Sequence, residues 1–177
     1  MASPLSDLVD ETRFWPRLQA LAECLCTALA EAKGPDLCYC GLWVGDTQPY
    51  LGAVMTGCTG IAWVRPVQTF PSTAFPDPAD PGLRPHCASP LAMQVEIGVA
   101  RAMPRPTDQR AMPDPQQMYD ASRLYMSDMA AVHKALACCF GDTKDPERRE
   151  WQFALGDWTP LPSGAGVSGG SWFAFIG

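Results

Sequence analysis

From Leu91 to Met103 the apolar residues Leu91, Met93, Val95, Ile97, Val99 and Met103 alternate with Ala92, Gln94, Glu96, Gly98, Ala100 and Ala102. A period of two places one set on each face of a β-strand. Ile61 to Phe70 reads as its partner strand in a long hairpin, with Pro66 unable to donate one ladder bond and therefore marking an edge or a bulge. Leu37 to Val44 is rich in strand formers but apolar on both alternating faces, which predicts a place in the middle of a sheet or at an interface. Trp151–Trp158 and Ser171–Ile176 read as two final strands, joined by the proline- and glycine-rich Thr159–Gly170.

A different period governs two other stretches. Phe14, Leu18, Leu21, Leu25, Ala28 or Leu29, and Ala32 recur every three or four residues and lay an apolar stripe along a helix that starts near residues 14–16, with Pro16 in its first turn. Gly34-Pro35 ends it. Residues 1–13 are left as an N-terminal arm or a short separate turn. The second helix spans about 115–140: Asp114 is its N-cap, Pro115 its first position and Gln117 a capping-box partner, and Gly141 stops it. Met118, Ser122, Tyr125, Met129, Val132, Leu136 and Phe140 mark its core face.

The order helix, strand, long hairpin, helix, terminal hairpin predicts an α+β fold: an antiparallel β-sheet with two main helices packed on one face. The chain of 177 residues, 47% hydrophobic, suits one core, so residues 1–177 are read as a single domain. No apolar run approaches the roughly 18–20 residues of a membrane span, and the N-terminal stretch lacks the pattern of an export signal. A soluble, unexported protein is the expectation. The net charge is −6, and no Lys/Arg cluster exceeds Arg148-Arg149, which argues against binding to phosphate backbones.

Eight cysteines change the picture more: Cys24, Cys26, Cys38, Cys40, Cys58, Cys87, Cys138 and Cys139. In an unexported protein they are expected as reduced, structural thiols. Neither CxxC nor HxxxH occurs, so a metal site is disfavoured; its best form is a zinc module on Cys38, Cys40 and Cys58 with Cys87 or His86. Disulfides are the third reading.

Pro71–Pro90 holds little that could form a core, and its prolines favour extended geometry. It reads as a contact arm, with Phe70, Phe75 and Leu83 as interface candidates, or equally as a loop packed on its own domain. Trp43 and Trp63 complete the interface candidates, because six tryptophans exceed what one small core requires.

No catalytic constellation assembles from the sequence. His86 and His133 are the only histidines, Glu96 is isolated on a strand face, and adjacent His86 and Cys87 point apart on an extended chain. Gly164, Gly166 and Gly169 match Gly-x-Gly-x-x-Gly, but the strand-to-helix setting and the acidic residue beyond it are missing. No enzyme, no cofactor and no metal is the expectation; a monomeric enzyme would instead bring His133, a cysteine and a carboxylate into one cleft.

Three strings carry a family resemblance: Cys38-Tyr-Cys-Gly-Leu-Trp-Val-Gly45; Cys58-Thr-Gly-Ile-Ala-Trp-Val-Arg65, with Phe70-Pro-Ser72 after it; and Gly156-Asp-Trp-Thr-Pro-Leu161, followed by Gly169-Gly-Ser-Trp172. Together they resemble the head–tail neck proteins of actinobacteriophages, and the order of elements is most similar to the tail terminators. The resemblance implies a structural virion protein, present in the host cytoplasm during assembly, whose copies form a ring of six. That ring would cap the major tail tube protein, join head connector proteins and let double-stranded DNA pass through its lumen without specific binding. A connector adaptor or stopper is the alternative within the neck. The strings depart from the family at Val167-Ser168 and Ser171, where relatives carry a cysteine and an acidic residue.

Overall fold

The computed structural model describes residues 13–32, 34–45, 49, 57–80, 90–104, 112–141, 148, 150–162 and 166–177. In chain order these form α1 (Trp15–Glu31), β1 (Tyr39–Leu42), β2 (Gly60–Pro71), β3 (Leu91–Ala102), α2 (Pro115–Leu136), β4 (Phe153–Pro160) and β5 (Val167–Ile176). α2 runs on into a π-helical turn, Ala137–Gly141. The predicted arm, apart from Arg13, lies outside the described residues, as do Leu83, His86 and Cys87.

Both helices start where local chemistry places them. Pro16 sits in the first turn of α1, where a missing N–H costs nothing. At α2 the Asp114 carboxylate accepts from the Gln116 backbone N–H at 3.2 Å, and Pro115 follows at the first helical position. The cap bond therefore goes to Gln116 rather than to the capping-box position at Gln117.

The five strands make one sheet in the order β1-β2-β3-β5-β4, and both helices pack against it, the expected α+β arrangement. β2–β3, β3–β5 and β4–β5 are antiparallel. β1 differs: it pairs with β2 in parallel, so the sheet is mixed, and it lies at an edge rather than in the middle. Parallel neighbours need a crossover in place of a tight turn, and the sequence between Leu42 and Gly60 is long enough for one. Register explains its apolar composition, since Cys40 and Leu42 align with Ala62 and Val64 on the helix side and join the core there. On the other side Tyr39 meets Trp43 edge-on, ring centres 6.1 Å apart. Pro66 does mark a bulge, where the β2–β3 register shifts before Gln68.

The sheet buries both of its faces. On the helix side Leu18, Leu21, Leu25 and Leu29 of α1 meet Val64, Val95, Ile97 and Val99, with Val132, Leu136 and Phe140 arriving from α2 and its π-helical turn. Each fully buried Leu, Val or Ile contributes about 1.5–3 kcal/mol. On the opposite side Ile61, Trp63, Ala100 and Val167 form a second cluster, with Trp43, Cys58 and Leu161 packed at its border.

Candidate functional site

α2 divides into two halves. Its buried residues begin at Asp128 and continue with Val132, Ala135 and Leu136; none of the first thirteen residues, Pro115 to Ser127, is buried. That half nevertheless carries Tyr119 and Met126, 60% and 54% exposed, and Met112 just before it is 88% exposed. Tyr125 is held from below, its hydroxyl accepting from the Trp158 indole N–H at 2.7 Å. Met103, Met118, Tyr125 and Met126 line a shallow groove of about 180 Å³ where α2 passes the end of the sheet. Exposed apolar side chains close together on one segment are the kind of surface found at protein contacts. Methionine and tyrosine suit that role because they adapt and carry large contact area.

These residues were not among the sequence's interface candidates. The signal was present: Tyr119 and Met126 are seven residues apart, on one helical face distinct from the stripe through Val132 and Leu136.

The candidates themselves scatter. Trp63 is fully buried in its own chain, over Gly98, and is a core residue rather than an interface one. Trp43 is half-buried at the edge of the same cluster. Phe70 is half-buried and meets Phe175 edge-on at 6.2 Å. Phe75 lies against Gly177, so a Cβ added there would come within 2.6 Å of its ring. Leu83 lies outside the described residues.

The root of the proline segment folds back on the hairpin instead of extending. Ser72 N–H donates to Pro90 O at 2.9 Å, Ser72 Oγ to Asp77 O at 2.8 Å, and Ala79 N–H to Pro71 O at 2.8 Å. Over residues 72–80 the packed-loop reading holds. Two arginines dock the start of α1 nearby: Arg13 donates to Leu91 O at 3.0 Å, and Arg17 donates to Gly177 O and lies over Trp151. Burial, and then the charge of Arg13, lower the Arg17 guanidinium pKa from its usual value.

Among the described residues, each face of the sheet carries a buried ion pair. Glu96, expected to be isolated, lies directly across from Arg65 and accepts from its Nε at 2.9 Å. On the helix side Arg101 grips Asp128 with two bonds, Nε to Oδ2 at 2.8 Å and Nη2 to Oδ1 at 3.0 Å, while Nη1 donates to Pro35 O. Such a fork fixes orientation as well as charge, and it anchors α2 at the residue where its buried half begins.

Six of the cysteines expected as reduced thiols are oxidised: among the described residues three disulfides form, Cys24–Cys139, Cys26–Cys40 and Cys38–Cys58, while Cys138 is exposed and unpaired and Cys87 lies outside the described residues. Two residues apart on a helix, Cys24 and Cys26 diverge by about 200° and so reach different partners, one at the end of α2 and one on β1. This overturns the zinc module in its stated form, because Cys38, Cys40 and Cys58 are committed to two separate bonds. Among the described residues no group of three or more His, Cys, Asp or Glu side chains could hold a metal ion.

His133 packs against Trp172, ring centres 5.4 Å apart. It does not line the cavity of about 380 Å³ beside α1, where Cys24, Cys138 and Cys139 lie with Glu23, Glu31 and Lys134. The cleft an enzyme reading required, with His133 beside a cysteine and a carboxylate, is not formed there. No helix among the described residues is long and apolar enough to cross a membrane. No protein-family model matches the chain, and comparison with curated proteins finds no match.

Proposed function

We propose that the chain is a non-enzymatic structural subunit of a phage neck, closing with its copies into a ring that terminates the tail tube and joins it to the head connector. The observation that carries the assembly part is the first half of α2 and the residues just before it, where Met112, Tyr119 and Met126 are exposed and no helix residue from Pro115 to Ser127 is fully buried. A heterologous contact repeated around a closed axis covers such a surface on every copy without leaving an end. The three neck-like strings supply the particular setting, a virion with DNA passing through the lumen; an adaptor or stopper is the alternative position in the same neck. The disulfides fit a particle released into oxidising surroundings, where such bonds persist.

The test compares the wild-type chain with Tyr119→Ser/Met126→Ser by native mass spectrometry and negative-stain electron microscopy. Rings are expected from the wild type. The double variant should stay monomeric with an unchanged circular dichroism spectrum, since neither residue is buried, and particles carrying it should show unjoined heads and tails. A wild-type chain that stays monomeric at about 100 μM, well above the roughly micromolar range of weak complexes, sinks the assembly reading. Intact head–tail joining with the variant removes α2 from it.

A further inference from the structure

Where α1 meets the end of α2, a thiol, a disulfide and a guanidinium share one cavity. Cys24 and Cys139, bonded to each other, line it together with unpaired Cys138. Cys139 is buried and Cys138 exposed: they are neighbours on the π-helical turn, and successive side chains of a helix point in different directions around its axis. Arg148 Nη1 stands 3.5 Å from Cys139 Sγ and 3.9 Å from Cys24 Sγ. Lys134 adds a second cation to the cavity wall, and Glu23 and Glu31 face it from α1.

We infer that this is a thiol–disulfide exchange site, at which Cys138 and Cys139 alternate as the partner of Cys24. The Cys138 thiol gives its proton to solvent, and its thiolate attacks Cys24 Sγ. A Cys24–Cys138 bond forms as the Cys24–Cys139 bond breaks, and the electron pair leaves on Cys139 Sγ, which takes a proton back from solvent. One disulfide and one thiol are present before and after, so no outside oxidant or reductant enters. The guanidinium of Arg148 lies against the leaving sulfur, and a cation there favours the departing thiolate. A π-helical turn holds one residue more than an α-turn, and such turns recur at functional sites. Exchange moves the tether on α1 by one residue along this turn and so re-aims the end of α2. The inference is independent of ring formation.

The experiment uses the full oxidised chain without reductant, held at about pH 6.5 and about pH 8.5, then trapped in mild acid with excess N-ethylmaleimide, which still captures thiols where exchange has stopped. Digestion without reduction, followed by fragmentation of the peptide holding both cysteines, locates the label. Label on Cys138 at the start is expected to spread to Cys139 as a Cys24–Cys138 crosslink appears, faster at the higher pH because the thiolate is the attacking form. Arg148→Ala should slow the spread by about three- to tenfold and leave the starting pattern unchanged. Cys139→Ser should carry the Cys24–Cys138 bond as isolated. Label confined to Cys138 at every time and pH overturns the inference. So does a Cys139→Ser chain with both remaining thiols alkylated, or spread to Cys139 that persists in Cys138→Ser and so comes from another thiol.

Discussion

The indole of Trp63 lies against Gly98 on the neighbouring strand, so close that a Cβ at residue 98 would sit 2.3 Å from Cζ2 and 2.5 Å from Cε2. The glycine is required by the space the ring fills, and the ring is held by the second core cluster. Gly98→Ala should therefore overpack a site that cannot yield, at a cost of about 1–3 kcal/mol read from urea denaturation. Shortening the ring restores room, so Trp63→Leu/Gly98→Ala should cost less than the sum of its single changes. Additive costs would show that the two residues are not in this contact.

Asp128→Ala leaves the Arg101 guanidinium buried without its carboxylate. The expected loss is about 3–5 kcal/mol, whereas Arg101→Met/Asp128→Leu, which removes both charges, should come out far closer to wild type. The comparison of midpoints in denaturant decides it, and a single variant as stable as the double would mean the pair is not desolvated.

Reduction should uncouple both helices from their anchors. Cys24–Cys139 spans 115 residues of sequence, against 14 for Cys26–Cys40 and 20 for Cys38–Cys58. Chain-entropy reasoning assigns roughly 4.7 kcal/mol to a loop of about 100 residues and roughly 3 kcal/mol to one of about 15, as upper values. Thermal unfolding with and without reductant should show the Cys24→Ser/Cys139→Ser chain losing more than the Cys26→Ser/Cys40→Ser chain. Thiol titration of the native protein that finds all eight cysteines reactive would contradict the pairing.

Phe75→Ala should act on stability and leave assembly alone. The ring fills the space beside Gly177 and is half-buried, so its removal is expected to cost about 1–2 kcal/mol. Ring formation should persist by native mass spectrometry. Lost rings with unchanged stability would return this segment to the role of a contact arm.

Much of the fold was legible because its signals are local. The alternation from Leu91 needs only the pleat of one strand, Asp114-Pro115 needs only the four open N–H groups of a helix start, and Pro66 needs only its missing donor. Each marks a feature found within a residue or two of where the sequence put it.

What escaped is what depends on distant segments meeting. Leu37 to Val44 was apolar on both faces, as an interior strand is, yet only the fold decides that β1 lies at an edge, parallel to β2, with its helix side in the core and Tyr39 against Trp43. Glu96 looked isolated because its partner Arg65 is 31 residues away, across a register fixed by the hairpin. Cys24 could not be matched with Cys139 from spacing, since spacing says nothing about which sulfurs come within bonding distance once helices pack. Tyr119 and Met126 could be placed on one helical face by counting residues, but whether that face is covered is a property of everything else in the chain. The sequence by itself determined the elements and their apolar stripes, because periodicity and capping act over a few residues; tertiary structure alone decided the pairings and the uncovered surface, because burial is set by neighbours far along the chain.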